Sequence, residues 1–302
     1  MAGGGKNTVE GHPRMELAEE CGACTAIQLV RTLTFRTPDW RRHFPPAMGA
    51  ALAQYPTADN PGEVLAAMYE AVAAGLGDHD PYRSVKDAAN RWAEEWWQTA
   101  SVPLGDVPAL LGLAAQANAI DAGVDTDLGQ VFGQFETAAR EAPGRDDRPR
   151  ALDWLTRHPS PRVLYLLDNC GEAVLDRELI RALVAQGAHV TAVVKGGPVL
   201  NDVTRREAEA IRLDHWATVV DTKSRRYGLA DWHGGGWLED CALRSDLLIA
   251  KGIAMLEAWS HRPLARPILF LYRAKCPPSA RLVGVAPHSA VIWWRDPTPR
   301  SA

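Results

Sequence analysis

The sequence has no uninterrupted apolar run of about 18 residues, so it predicts no membrane-spanning helix. Residues 1–14 lack the apolar segment of a secretory signal peptide, and we interpret them as a flexible leader. The cysteines number five, and an odd count argues against a disulfide framework. A net charge of -4 gives no general attraction to nucleic acid or to an anionic membrane. We therefore expect a cytoplasmic protein without nucleic acid or a membrane as a partner.

The common glycine-rich nucleotide-binding motifs are also missing. No G-x-G-x-x-G follows a predicted strand, which leaves a Rossmann-type methyltransferase as a weak alternative. The stretch from Trp232 to Trp237 contains three consecutive glycines but lacks the G-K-[ST] ending of a phosphate-binding P-loop. We interpret this stretch as a solvent-exposed loop, with a mobile lid as the alternative.

The apolar pattern divides the chain into two parts. In residues 15–140 apolar residues recur every three or four positions, as in PGEVLAAMYEAVAAGL, which predicts a helical domain. Residues 141–150 are charged and contain two prolines, and we interpret them as a linker. Residues 151–302 contain short apolar runs separated by helical segments, namely VLYLL, HVTAVVK, ATVV, DLLIA, PILFLYR and SAVIWW. This part predicts a Rossmann-like α/β domain with a largely parallel sheet covered by helices on both faces.

Polar side chains follow the first predicted strand at once. Asp168, Asn169 and Glu172 surround Gly171, which permits a tight turn before the next helix. The oxygen atoms of Asp168 and Asn169 suit a divalent cation such as Mg or Mn, and the helix N-terminus favours an anion such as phosphate. A simple helix cap is the alternative, because Asp and Asn are common at that position.

A similar group follows the second predicted strand. Lys195 stands at the strand end, and Asn201 and Asp202 are predicted to open the next helix, with Thr204 inside it. Ligands of parallel sheets bind beyond the carboxyl ends of the strands, so both groups are expected at one edge. A cation between Asp168 and Asp202 would offset the repulsion of their carboxylates. A second helix cap is again the alternative.

Basic residues mark the next two strand ends. Lys251 follows the third strand, and Arg273 and Lys275 follow the fourth. Cations at this edge suit a transferring phosphoryl group. Each of them could equally be an ordinary solvated side chain.

Taken together, these motifs resemble the metal-dependent damage-control phosphatases, long classified as a domain of unknown function. The resemblance covers about residue 20 to residue 276. It consists of seven short motifs in the family order: Cys21-x-x-Cys24, Asp80-Pro-Tyr82, Asn118-x-Ile-Asp121, Asp168-Asn-x-Gly-Glu172, Lys195-Gly-x-Pro-x-x-Asn-Asp202, Ala250-Lys-Gly252 and Arg273-Ala-Lys-Cys276.

The resemblance implies a helical N-terminal domain, a Rossmann-like C-terminal domain, and phosphate-ester hydrolysis that requires Mn, Co, Ni or Mg. It implies that Asp168, Asn169 and Asp202 bind the metal, that Glu172 lies beside it, and that Lys251 and Lys275 act at the phosphate. Further residues are assigned to substrate or phosphate binding: Asn118, Asp121, Lys195, Asn201 and Arg273. The substrate would be a sugar phosphate or a phosphorylated nucleoside or cofactor fragment. A metal-bound water or the Asp168 carboxylate could attack phosphorus.

The sequence departs from the family pattern beside the expected pocket. Aliphatic residues occupy 253–256, where similar proteins often have Q-G-N-F, and Ala117 replaces a glycine. This change predicts a substrate with an apolar or flat portion, and it also allows a binding protein without catalysis. Cys21 and Cys24 could form half of a zinc site, but we expect them to pack as apolar thiols. We interpret Cys170 as a turn residue.

Overall fold

The structure is a computed structural model, and it describes residues 8–9, 12–77, 80–123, 127–225, 236–260 and 262–298. Most of the predicted loop at 232–237 lies outside the described residues. Much of the predicted leader does too, although Thr8–Val9 (β1) and His12–Pro13 (β2) pair as a short antiparallel ribbon. None of the described helices has both the length and the apolar character needed to cross a membrane.

Three helices near the N-terminus form a small apolar cluster: α1 (Glu19–Arg36), α2 (Trp40–Gln54) and α3 (Pro61–Leu76). Local signals explain the bounds of α3. The Asn60 side chain accepts a hydrogen bond from Glu63 N, Pro61 occupies the first turn, and Gly77 ends the helix with a φ of 60°.

Three further helices pack against the sheet: α4 (Arg83–Thr99), α5 (Val107–Ala117) and α6 (Leu128–Ala138). Nine of the residues of α5 are buried, because this helix lies between the sheet and other helices. The apolar core of the sheet therefore includes helices from the predicted helical part of the chain.

The main sheet has seven strands: β3 (Arg145–Asp146), β4 (Arg162–Leu166), β5 (His189–Val194), β6 (Thr218–Asp221), β7 (Leu247–Lys251), β8 (Ile268–Arg273) and β9 (Ala290–Arg295). Their order is β3-β9-β8-β7-β4-β5-β6, and all pairs are parallel except β8 with β9. The predicted α/β class and the largely parallel sheet are confirmed. The segment 141–150, however, is more than a linker, since it contains β3.

Helices of the second half cover both faces of the sheet: α7 (Arg148–Arg157), α8 (Glu172–Ala185), α9 (Arg205–Ala210), α10 (Trp237–Arg244), α11 (Gly252–Trp259) and α12 (Pro277–Val283). Side chains of β4 alternate between the two cores, as a strand requires: Val163 and Tyr165 face one core, and Leu164 and Leu166 face the other.

The sequence predicts that a glycine ends α8. Gly187 follows this helix with a φ of 99°, which confirms the prediction. The start of α9 differs from the prediction. Asn201 and Asp202 lie in the preceding turn, and Thr204 caps the helix together with Glu207. The order of β5, β4 and β7 means that the chain leaves β4 toward one neighbour and later returns on its other side. Such a switch point leaves a crevice at the carboxyl ends of the strands.

Candidate functional site

The turn after β4 presents Asp168 and Asn169 at this crevice. Gly171 adopts a φ of 82°, and a β-carbon there would lie 2.8 Å from Ile120 Cγ2. The Gly171 N–H donates to Asn90 Oδ1 at 2.6 Å. Glycine at this position thus permits the close packing that turns the chain from β4 into α8.

Backbone hydrogen bonds join this turn to the turn after β5. Val203 N donates to Asp168 O, and Cys170 N donates to Asn201 O, both at 2.9 Å. Asn169 and Asp202 consequently form an isolated antiparallel bridge. The two polar groups that the sequence placed at neighbouring strand ends do lie side by side.

Two amides hold the carboxylates of Asp168 and Glu172 together. Asn118 Nδ2 lies 3.1 Å from Asp168 Oδ2 and 3.0 Å from Glu172 Oε2. Asn169 Nδ2 lies 3.0 Å and 3.1 Å from the same two oxygens. Among the described residues no donor binds Asp168 Oδ1 or Asn169 Oδ1, so both oxygens remain open to a ligand.

Lys251 lies beneath these carboxylates and not in the crevice. Its Nζ is 3.1 Å from Glu172 Oε1 and 3.0 Å from Asp176 Oδ1, and it donates to Ala114 O. The side chain is completely buried. Burial lowers the pKa of Lys251, but the carboxylates of Asp176 and Glu172 outweigh this effect and raise it. The predicted contact of Lys251 with a phosphate is therefore corrected to a supporting ion pair.

Four other predicted residues also lie behind the crevice. Asn118 is fully buried and accepts a hydrogen bond from Arg273 N at 3.0 Å. The Arg273 side chain does not line the crevice, and its backbone N–H is the group that binds Asn118. Lys195 is buried 3.3 Å from Asp202 Oδ2, and Glu172 is buried beside Asp168. These side chains support the crevice without lining it.

The crevice opens into a cavity of about 360 Å³, a volume suited to a small metabolite. Predicted site residues form one wall: Asp121, Asp168, Asn169, Asn201, Asp202 and Lys275. Lys275 Nζ lies 2.6 Å from Asp121 Oδ2. Burial lowers the pKa of Lys275, but the carboxylates of Asp121 and Asp168 outweigh this effect. The pKa of Lys275 is therefore raised, and the side chain stays charged.

The opposite wall comes from α1, α3, α11 and the start of α12. The sequence assigned no binding role to its residues, which include Cys21, Cys24, Gln28, Arg31, Leu65, Glu257 and Cys276. The two cysteines of α1 line the cavity; Cys21 is buried, as expected for a packed apolar thiol, and Cys24 is half-buried. The sequence signals for this wall were the C-x-x-C motif and the aliphatic residues at 253–256. The expected aliphatic wall is half correct, because Ile253 and Ala254 line the cavity while Met255 and Leu256 are buried in the core.

The buried carboxylates at this edge of the sheet disfavour one another's ionised form. Burial, Glu172 and Asp202 raise the pKa of Asp168 well above its ordinary value, with Lys275 opposing them. Burial raises the pKa of Asp202 to about 6, although Lys195 lowers it. A divalent cation would relieve this repulsion, and the donors are the hard oxygen atoms that Mg and Mn prefer. Within the described ranges, no three His, Cys, Asp or Glu side chains form a ready metal-binding group. The fitting set is instead two carboxylates and an amide: Asp168, Asp202 and Asn169.

Cys170 does not contribute a nucleophile to this site. It is completely buried, and burial raises the pKa of its thiol well above the ordinary value. A thiol in that state carries little thiolate, which is the reactive form.

The chain is similar to known proteins along most of its length. A damage-control phosphatase of Archaeoglobus fulgidus is 31% identical over 70% of this chain and 74% of that protein. A damage-control phosphatase of Pyrococcus horikoshii is 26% identical over 93% of this chain and 99% of that protein. The crystal structure of a DUF89 family protein from Pyrococcus horikoshii superposes with a TM-score of 0.79 at 26% identity, and it covers 92% of this chain and 99% of that chain. Residues 17–291 match the damage-control phosphatase ARMT1-like domain, and the chain belongs to that family.

Proposed function

We propose that this protein is a cytoplasmic, metal-dependent phosphatase that hydrolyses the phosphate ester of a small metabolite. Its substrate class comprises sugar phosphates and phosphorylated nucleosides or cofactor fragments. The observation that carries the proposal is the convergence of Asp168, Asn169, Asp202 and the Asp121–Lys275 pair on one wall of a cavity of about 360 Å³. The names of the relatives support the phosphatase activity.

Asp168, Asn169 and Asp202 are the residues that would hold Mn, Co, Ni or Mg. The ion would supply Lewis acidity toward a phosphoryl oxygen and would lower the pKa of a bound water. The chain itself keeps the ligands in place: Asn118 and Asn169 bind Asp168 Oδ2, and the backbone bonds between residues 168–170 and 201–203 fix the distance between the two turns.

Lys275 is the cation that we assign to a phosphoryl group, because it lines the cavity beside Asp121. Asp121 fixes the position of its ammonium group, and its raised pKa keeps it protonated at neutral pH. A preformed cation in a site of low dielectric constant stabilises charge that develops on phosphoryl oxygens. Water or the Asp168 carboxylate attacks phosphorus, and Lys275 serves either reaction.

The proposal is tested by phosphate release from a panel of phosphorylated metabolites. The metal-stripped protein is assayed alone and with Mn, Co, Ni or Mg. We expect hydrolysis only with metal, and a loss of about 100-fold in Asp202→Asn, in line with the removal of a key electrostatic group. Asp153→Asn is the matched control, because the Asp153 side chain is 64% exposed on α7.

Absence of turnover with every metal would contradict the proposal. If calorimetry then showed binding of a phosphorylated metabolite, the protein would be a binding module on the phosphatase scaffold. If hydrolysis continued unchanged after metal removal, the assignment of Asp168, Asn169 and Asp202 as metal ligands would be wrong.

A further inference from the structure

Glu257 lies in the cavity wall opposite the proposed metal ligands. It belongs to α11, which begins at Gly252 directly beside Asp168. Ile253, Ala254 and Glu257 all line the cavity, and their three- and four-residue spacing places them on one face of the helix. Glu257 therefore lies farther along α11 from the junction at which Gly252 packs on Asp168.

One oxygen of the Glu257 carboxyl group is buried without a hydrogen-bond partner among the described residues. Glu257 is 4% exposed, and its Oε2 has no hydrogen-bond partner among the residues that the structure describes. A buried polar group without a partner costs about 1–3 kcal/mol, so such groups are rare unless a ligand satisfies them. Asp168, by contrast, accepts hydrogen bonds from two amides, and Asp202 forms an ion pair with Lys195.

Arg31 and Lys275 line the same cavity, but no charged side chain of the described residues contributes to the pKa of Glu257. Burial is the sole cause that raises its pKa to about 8, so the group is largely protonated at neutral pH. Its neighbours in the cavity include the thiols of Cys21, Cys24 and Cys276. Burial is the main cause that raises the pKa of each thiol, and the charge of Glu257 is a smaller cause in the same direction. A β-carbon at Gly62 would lie 3.4 Å from Glu257 Oε2, so this oxygen faces the start of α3.

Other polar groups of this wall are already engaged. Gln28 Nε2 donates to Cys24 Sγ at 3.1 Å, and Gln28 Oε1 accepts from Tyr69 Oη at 2.7 Å. Glu257 combines burial, an unpartnered oxygen and a place in the cavity. It also does not belong to a metal centre formed with the three thiols, because no such group of ligands exists in the described part of the chain.

We propose that Glu257 is a substrate-recognition residue whose carboxyl group hydrogen-bonds a hydroxyl group of the substrate, on the side of the cavity opposite Asp168 and Asp202. This inference rests on the proposed phosphatase function. Within that function, the Glu257 carboxyl group favours phosphate esters that carry a free hydroxyl group in addition to the phosphate. Ile253 and Ala254 bound the same substrate with apolar surface, so the wall combines one polar contact with aliphatic packing.

The test compares two substrates and two variants of the full chain with added Mn. One substrate is a sugar phosphate with free hydroxyls, and the other is p-nitrophenyl phosphate, which has none. Glu257→Met should lower kcat/KM about 10-fold for the sugar phosphate, the loss expected for one hydrogen bond, and less than about 3-fold for the aryl phosphate. Glu257→Gln, which keeps a donor and an acceptor, should restore most of the selectivity.

An equal effect on both substrates, or no effect on either, would overturn the proposal. Glu257→Gln has nearly the shape of the wild-type side chain, so its kinetics decide the question if Glu257→Met does not fold. If the wild-type protein hydrolyses neither substrate, the phosphatase function fails by itself. Calorimetric binding of the sugar phosphate to wild-type protein and Glu257→Gln, compared with binding to Glu257→Met, then decides the role of Glu257 separately. Equal affinity in all three would contradict it.

Discussion

Gly252 packs directly against Asp168, so closely that a β-carbon at position 252 would lie 1.8 Å from Asp168 Oδ2. Gly252 also has a φ of 76°, a conformation that glycine adopts without strain. The junction of β7 and α11 is thus built around the carboxylate that we assign to the metal.

Replacing Gly252 by alanine should therefore displace Asp168. We expect about a 100-fold loss of metal-dependent hydrolysis, since small displacements of catalytic groups cost that much. Gly284→Ala is the matched control, because Gly284 has a φ of 70° but no atom within 4 Å of an added β-carbon. Alanine strains the backbone at both positions and should lower the free energy of unfolding by about 1 kcal/mol or more in both variants. Chemical denaturation measures this loss. If Gly252→Ala and Gly284→Ala lose activity equally, contact with Asp168 is not the cause.

Asp168→Ala should abolish binding of Mn or Co and hydrolysis while leaving the fold largely intact. The reason is that the folded state already disfavours the ionised Asp168, as its raised pKa indicates. Removal of this carboxylate also relieves repulsion with Glu172 and Asp202. Calorimetry measures metal binding, and circular dichroism measures the fold, with Asp153→Ala on the exposed face of α7 as control. Metal binding as tight as in the wild-type protein would refute the assignment of Asp168.

Lys251→Met tests the supporting role of the buried lysine. Glu172 and Asp176 would lose their cation in the interior, and we expect a loss of about 3–5 kcal/mol in the free energy of unfolding. Adding Asp176→Asn should recover part of this loss, because one unpaired charge is removed. Arg157→Met breaks an exposed ion pair and should cost less than about 1 kcal/mol. A Lys251→Met protein with wild-type stability and no activity would instead indicate direct contact with the phosphate.

The buried Glu257 should make stability depend on pH. Its folded-state pKa is about 8, above the ordinary value of 4.5, so the folded protein holds this proton more tightly than the unfolded chain. The resulting stabilisation is complete below about pH 4.5 and is lost as pH rises through about 8. Glu257→Gln remains neutral and should gain stability relative to wild type over that interval, by up to about 1.4 kcal/mol for each unit of the shift.

This difference is measured by denaturant unfolding near the two ends of the interval. Glu136→Gln on α6 is the control, because Glu136 is exposed. If the stability of the wild-type protein does not fall relative to that of Glu257→Gln as pH rises, Glu257 is not a desolvated carboxyl group.

Local sequence was sufficient for much of the fold. Apolar runs identified β4, β5, β7 and β8, and Gly187 marked the end of α8, because strand burial and left-handed glycine leave signatures within a few residues. The meeting of Asp168 and Asp202 also followed from sequence, since carboxyl ends of parallel strands share one edge. The segment 141–150 shows the limit: β3 has two residues and pairs with β9, which lies far along the chain.

Only the tertiary structure decided which polar groups reach the cavity. Lys251 and Lys275 both follow strand ends, yet Lys251 is buried against Glu172 and Asp176 of α8, while Lys275 faces the cavity beside Asp121. The direction of such a side chain depends on the partners that distant elements bring to it, and periodicity does not report them. The same holds for Glu257, whose place in the opposite wall depends on the packing of α1, α3 and α12 against α11. The sequence determined the strands and the turn that carries Asp168, and long-range packing determined the cavity that surrounds them.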